Sequence, residues 1–182
     1  MTKTKNILIL STSPRKDGNS EMLAREFARG AEEAGHNVEL ISLRGKAIGF
    51  CKGCLACQKT QQCVIHDDAD AIVRKMKDAD VIAFATPIYF YEMCGQMKTL
   101  LDRSNPLFPS DYAFRDIYLL AAAADSAASS MDGAVKGLEG WIACFEKAAL
   151  RGVVRGTGAD GAGTILQVPA ALKSAFELGN KA

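Results

Sequence analysis

The chain lacks any long hydrophobic run. The longest is Ile117–Ala124, and a membrane-spanning helix needs about 20 apolar residues. The opening Met-Thr-Lys-Thr-Lys leads only into Ile7-Leu8-Ile9-Leu10, too short and too early for a secretory leader. A soluble, cytoplasmic protein is therefore expected. An excess of one charge is also missing: 22 Lys and Arg against 21 Asp and Glu leave a formal net charge of +1. Nucleic-acid binders carry a basic excess or stripe, so that class is set aside. Histidine is scarce, with only His36 and His66, in different segments. A Ser–His–Asp or Cys–His hydrolytic site thus has poor support. No C-x5-R occurs, which excludes phosphotyrosine-phosphatase chemistry on motif grounds. There is no internal repeat, linker or low-complexity segment.

What the chain does contain suits one domain over residues 1–182, with 48% hydrophobic residues and enough length to bury a core without disulfides. Ile7–Leu10 is unbroken apolar sequence, as in a parallel strand covered on both faces. A helix follows, with Leu23, Phe27 and Ala31 four apart and Asn19 or Ser20 as its cap. Gly35 stops it before an alternating strand, Val38–Leu43. Asp67 and Asp68 open a helix through Met76. Val81–Ala85 is a buried strand, Thr86–Tyr91 a loop and Gly95–Arg103 a helix. Asp116–Ala124 is a fourth strand. Ala134, Leu138, Trp141, Ile142 and Phe145 share one face of a long helix. Val153-Val154 marks a short fifth strand, and Pro169–Leu178 a closing helix. Strands alternating with helices imply a doubly wound parallel sheet. Such sheets bind ligands beyond the carboxyl ends of their strands, where strand order switches. Two unusual loops, 11–20 and 86–92, fall in that position.

Loop 11–20 carries hydroxyls at Ser11, Thr12, Ser13 and Ser20, the guanidinium of Arg15, the amide of Asn19 and a flexible Gly18. It runs into a helix N-terminus, whose free N–H groups and dipole favour a phosphate. Gly18-Asn19-Ser20 lacks the lysine of a Walker A motif, so a monophosphate suits it better than a triphosphate with magnesium. An ordinary polar turn reads as well from the same residues. The literal G-x-G-x-x-G at Gly156, Gly158 and Gly161 comes too late for a dinucleotide site and is read as a flexible loop. Thr86-Pro87-Ile88-Tyr89-Phe90-Tyr91 places three aromatics at a strand end, able to flank a flat heterocycle or to plug a contact between subunits.

Four of the six cysteines, Cys51, Cys54, Cys57 and Cys63, form C-x2-C-x2-C-x5-C. Structural disulfides are not expected in a reducing compartment. Closely spaced thiolates can wrap a [4Fe-4S] cluster. Zinc on Cys51, Cys54, Cys63 and His66, or free thiols, fit the same residues.

Taken together, Ser13-Pro14-Arg15-Lys16-Asp17-Gly18-Asn19-Ser20 resembles the phosphate loop of the flavodoxin-like NADPH-dependent FMN reductases. Pro87-Ile88-Tyr89-Phe90, continuing through Gly95-Gln96-Met97-Lys98 to Asp102-Arg103, resembles the same family's isoalloxazine loop and following helix. The run ending in Cys63-Val64-Ile65-His66-Asp67-Asp68 is similar to its iron–sulfur flavoprotein branch. The resemblance covers about residues 5–167. Two departures stand out: Thr12 where the family usually has glycine, and Tyr91-Glu92-Met93-Cys94 where small residues are common.

The resemblance implies a five-stranded sheet of order 2-1-3-4-5. It implies FMN with its phosphate on Ser11, Ser13, Arg15, Asn19 and Ser20. The ring would be lined by Pro87, Ile88, Tyr89 and Phe90, with the stretch Ala123, Ala124, Asp125 and Ser126 as a third contact. Hydride would pass from NAD(P)H to the flavin N5, and electrons on to a small-molecule or protein acceptor, with no side-chain acid or base required. The alternative is an electron carrier with FMN plus a [4Fe-4S] cluster on Cys51, Cys54, Cys57 and Cys63. Cys94 is expected beside the ring, and Cys144 as a small core residue in a helix. An open flavin face suggests a homodimer or homotetramer, with Tyr91, Met93 and Met97 near the contact.

Overall fold

The unbroken apolar run Ile7–Leu10 needs cover on both faces, and it receives it. In a computed structural model that describes residues 3–182, the run lies in β1 (Asn6–Ser11), buried at every position but the first. Leu8 and Leu10 enter one apolar cluster, and Ile7 and Ile9 the other, as the alternation of a strand dictates. In chain order come α1 (Asn19–Glu33), β2 (Asn37–Ser42), a short α2 (Cys57–Thr60), α3 (Asp68–Asp78) and β3 (Val81–Tyr89). There follow the two-residue β4 (Glu92–Met93), α4 (Gly95–Arg103), β5 (Asp116–Ala122), α5 (Asp132–Ile142), β6 (Ala149–Gly156) and α6 (Pro169–Asn180).

Five parallel strands run in the order β2-β1-β3-β5-β6. β4 is a sixth strand, antiparallel to the end of β3 through Ile88↔Met93 and Tyr89↔Glu92. The fold is the expected flavodoxin-like one, with six strands in place of five. Passing over the two-residue strand restores the expected order.

α1 and α6 cover one face of the sheet, and α3, α4 and α5 the other. The first pair approaches unusually closely. A Cβ added at Gly30 would lie 2.1 Å from the Phe176 carbonyl oxygen, and one at Gly179 would lie 2.0 Å from that of Phe27. Only glycine allows helix backbones to meet in this way. Among the described residues, no helix is long and apolar enough to cross a membrane.

Several boundaries differ from the sequence expectation. Gly18, not Asn19 or Ser20, occupies the cap of α1, and no side chain caps it. β3 continues through Pro87 to Tyr89 because β4 folds back on Ile88 and Tyr89; the expected loop shrinks to Phe90-Tyr91. β6 has eight residues, not two valines, since pairing with β5 extends it past Gly152 and Arg155. α5 ends at Ile142, and Phe145 returns to the core from the next turn, its N–H donating to the Ile142 carbonyl at 2.8 Å. Cys144 is exposed in that turn rather than buried in a helix.

Candidate functional site

Carboxyl ends of neighbouring strands diverge where the order reverses, and a crevice opens there. Here the chain passes from β1 to β2 on one side and from β3 to β5 on the other, and a cavity of ≈ 340 Å³ lies beyond the ends of β1 and β3. Ser13, Arg15, Asn19 and Ser20 form one wall; Pro87, Ile88 and Tyr89 form another. Ala122 and Ala124 from the end of β5, and Ala159 and Asp160 after β6, close the rest. The hydroxyl-rich turn and the tyrosine-bearing strand end therefore share one crevice.

The turn after β1 suits an anion. α1 begins without a side-chain cap, so its first-turn N–H groups stay open to a ligand. The hydroxyls of Ser11 and Ser20 are buried with no partner, and Ser20 lines the cavity. Buried polar groups are ordinarily paired, so the Ser20 hydroxyl marks a place for an acceptor-rich ligand, whereas Ser11, expected as a phosphate contact, lies outside the lining. Arg15 is the one cation among the lining residues. Ser13 holds the turn internally: its hydroxyl donates to the Arg15 carbonyl at 3.0 Å and accepts from the Arg15 N–H at 3.3 Å. These residues fit a phosphate monoester.

Gly18 is required by this geometry. A Cβ there would lie 2.3 Å from the Ser13 hydroxyl and 3.2 Å from the Arg15 carbonyl oxygen. Gly18→Ala is expected to evict the Ser13 hydroxyl and weaken phosphate-ligand affinity by about 10- to 100-fold, the worth of one or two hydrogen bonds. Fluorescence titration with FMN measures the loss, and an unchanged melting temperature shows that the fold persists.

Asn19 sits in the cavity wall, but its amide is engaged elsewhere. It donates to the carbonyls of Ala159 at 2.9 Å and Gly161 at 2.8 Å, and accepts from the Ile165 N–H at 3.1 Å. Asn19 thus pins the 159–165 segment to the start of α1. Of the expected third contact, Ala123 is buried, while Asp125 and Ser126 are exposed and outside the lining. Asp125 accepts from the Ala127 N–H at 2.8 Å. From the expected 123–126 stretch Ala124 lines the cavity, and Ala122, Ala159 and Asp160 complete that wall. Sequence reading missed the last two because Gly156, Gly158 and Gly161 look like loop punctuation; the Asn19 bonds, and the N–H groups of Gly158 and Ala159 donating to the carbonyls of Asp125 and Ala123 at 2.9 Å, place that loop at the site.

The aromatic turn has a strained tip. Phe90 and Tyr91 have φ values of 50° and 64°, the doubly left-handed backbone of a two-residue hairpin, which favours Asn-Gly. Phe90 is fully exposed, at 100%, and does not line the cavity. α5 supports the turn from below: a Cβ at Gly133 would lie 2.4 Å from the Tyr91 carbonyl oxygen. Met93 and Met97 are buried in the core and not on a contact surface. The Thr12 hydroxyl points into the sheet, donating to the Ala85 carbonyl at 2.9 Å and meeting Cys94 Sγ at 3.1 Å. Cys94 is likewise buried and lies outside the cavity lining.

The cysteine run lies between two anchored ends. Arg103 is buried, and its guanidinium donates to Asp67 at 2.6 Å, to the Gly49 carbonyl at 2.9 Å and to the Ile65 carbonyl at 2.8 Å. Asp67 also accepts from the N–H groups of Gly49 and Ala69. Burial pushes the Asp67 carboxyl up, but Arg103 and the two N–H donors outweigh it and hold it below the usual carboxylate range. Residue 49, before Cys51, is thereby tied to residue 65, after Cys63. Between these anchors Cys51 and Cys54 are exposed, Cys57 is buried and Cys63 is half-buried. Burial pushes the Cys57 thiol up, against the Asn105 amide that donates to it at 3.3 Å. Among the described residues no three His, Cys, Asp or Glu side chains converge as a metal site. His66 pairs with Asp70 at 3.1 Å rather than with the thiols. The four thiols expected as metal ligands, although chemically suited to iron, are not gathered around one point.

Comparison with known proteins agrees with this architecture. The family model for NADPH-dependent FMN reductases matches residues 5–158. An iron–sulfur flavoprotein of Methanocaldococcus jannaschii is 43% identical over 101 residues, 56% of this chain and 52% of that protein. One from Methanosarcina thermophila is 36% identical over 107 residues, 59% of this chain and 56% of that protein. The chain spans about half the length of the curated relatives it matches. The structure of an FMN-dependent NADH-azoreductase from Bacillus anthracis in complex with FMN superposes with a TM-score of 0.70, at 13% identity, covering 98% of this chain and 99% of that one. At that identity the likeness speaks to fold alone. With the family model running from β1 to beyond β6 and the flavodoxin-like strand order in place, the chain belongs to the NADPH-dependent FMN reductase family.

Proposed function

We propose that the protein is an FMN-dependent oxidoreductase that takes electrons from NAD(P)H and delivers them to an acceptor. The observation that carries this reading is the single cavity walled by an uncapped helix N-terminus on one side and by Ile88 and Tyr89 on the other. It offers a polar end for a phosphate and an apolar end for a flat ring.

When bound, FMN supplies the hydride and electron chemistry; the protein supplies position, polarity and access. The first-turn N–H groups of α1, the Ser20 hydroxyl and Arg15 would hold the phosphate. Ser13 keeps the turn in shape. Pro87, Ile88 and Tyr89 would flank the ring, and the small side chains of Ala122, Ala124 and Ala159 leave it room. Asp160 is the one carboxylate among the lining residues, and the hydride step calls on no side-chain acid or base. A homodimer or homotetramer belongs to the same reading, with exposed Phe90 and Tyr91 as the surface a second copy would cover.

Purified protein incubated with FMN and then desalted is expected to stay yellow, and anaerobic NADPH or NADH to bleach it. Colourless protein after desalting would overturn the proposal. A second reading, an electron carrier with an additional [4Fe-4S] cluster, is favoured by the names of the curated relatives and by the four-cysteine run. Iron and sulfide assays on anaerobically reconstituted protein test it, and zero iron removes it. Flavin that is retained but not bleached would favour the carrier over the reductase.

A further inference from the structure

Glu21 lies in the first turn of α1, where an acid usually just complements the helix dipole. Here it does something more specific. Its side chain is 5% exposed, and a carboxylate so placed needs neutralising partners. Arg44, from the segment after β2, reaches it at 3.0 Å, and Arg25 reaches it at 3.0 Å from the next turn of α1. The carboxylate also accepts from the Asp17 N–H at 3.1 Å. The same Arg44 nitrogen donates to the Arg15 carbonyl at 3.1 Å, and Arg25 pairs with the Asp17 side chain at 2.9 Å.

None of Glu21, Arg25 or Arg44 lines the cavity. The bonds to the Asp17 N–H, the Asp17 side chain and the Arg15 carbonyl instead fix the turn that does, and the pairs of Glu21 with Arg25 and Arg44 hold those groups in place. Asp17 has a φ of 51°, a left-handed backbone that a non-glycine residue keeps only when its surroundings hold it. Glu21 supplies that hold at the residue next to Gly18, and Arg44 supplies it at the carbonyl of Arg15.

We propose that Glu21 and Arg44 are positioning residues that lock the 13–18 turn in its phosphate-ready shape, and so make the protein select FMN over the unphosphorylated flavin. The inference rests on the flavin reading above and adds the source of its selectivity. Without the brace, the turn must be ordered by the ligand itself, and the affinity for the phosphate falls by that ordering free energy. Contacts to the ring come from β3 and are left alone.

The test compares FMN and riboflavin binding in the wild type, Glu21→Gln, Arg44→Gln and the double variant. Amide hydrogen exchange of the ligand-free proteins runs in parallel. Each single change is expected to weaken FMN about tenfold, in line with the loss of one charge-assisted hydrogen bond, and to leave riboflavin within about twofold. The double variant should lose little more than the worse single one, because the two residues act as a unit. Exchange should quicken over residues 13–18 while β1 and α6 stay protected. Arg44 is 35% exposed, so its variant folds even if loss of Glu21 weakens α1. Unchanged FMN affinity in both variants overturns the proposal. So does an equal loss of both flavins with faster exchange throughout. A wild type that binds neither flavin overturns the flavin reading and the selectivity with it; exchange then still reports whether the turn is braced, so the two failures are told apart.

Discussion

Replacing Asp67 with asparagine is expected to lower the unfolding free energy by about 3 kcal/mol at neutral pH, the range for removing one partner of a buried ion pair. The reason is the company that Asp67 keeps. One of its oxygens accepts from both Arg103 and the Gly49 N–H, the other from the Ala69 N–H. An asparagine of the same shape sets an NH₂ donor against donors in either flip. It also strands the Arg103 guanidinium, whose side chain is 0% exposed, with only Asp70 at 3.9 Å as a distant counter-charge. The pH dependence follows from the depressed carboxyl. A folded pKa below the unfolded value near 3.9 adds stability that is complete above that value and is lost as pH falls through the folded pKa. Urea unfolding of the two proteins should therefore differ widely at neutral pH and converge in acid, once the pH has fallen below the depressed pKa of Asp67. A gap that stays constant into acid would show that the carboxylate charge is not the cause.

The second large effect is steric. Gly179→Ala places a methyl group 2.0 Å from the Phe27 carbonyl oxygen, and Gly30→Ala places one 2.1 Å from that of Phe176. Both obstacles are backbone, so neither can rotate aside, and α1 and α6 must separate. Overpacking of this kind costs up to about 3 kcal/mol or more, against which the better helix propensity of alanine returns less than about 1 kcal/mol. The net loss of about 2 kcal/mol should lower the melting temperature of a domain of this size by roughly 4–8 °C. Gly140 is the control. It lies in α5, and a methyl group there would meet nothing within 4 Å, so Gly140→Ala should be neutral or slightly stabilising. Equal melting temperatures for Gly179→Ala and Gly140→Ala would refute the close helix contact.

The parts of this fold that read clearly from sequence are those whose residues act alone. Ile7–Leu10 and Val81–Ala85 announce buried parallel strands because nothing polar interrupts them. The hydroxyl-rich turn followed by an amphipathic helix is legible as a turn into a helix start, because hydroxyls, Gly18 and the helix pattern are contiguous, and only the resemblance turns it into an expected phosphate loop. What stayed hidden depends on partners far along the chain. The last strand shows only two adjacent valines; its other residues are held by β5, and Arg151 by its pair with Asp116 at 2.7 Å. β4 exists only because Phe90 and Tyr91 accept a left-handed turn that their side chains disfavour. Asn19 reads naturally as a phosphate ligand, and nothing local reveals that its amide serves the 159–165 segment. The role of Arg44 is equally invisible, since it is 23 residues from the acid it pairs with.

The Asn19 amide joins positions separated by 140, 142 and 146 residues. Bonds of that span close only after the intervening chain has been arranged, and closing such long loops is entropically late. The walls of the crevice are consequently drawn from the earliest and the most distant strands of the sheet, and no shorter folding intermediate contains them all. A chain that has paired every strand from β1 to β5 still lacks the Ala159–Asp160 wall, and the crevice is complete only when that last segment docks on Asn19.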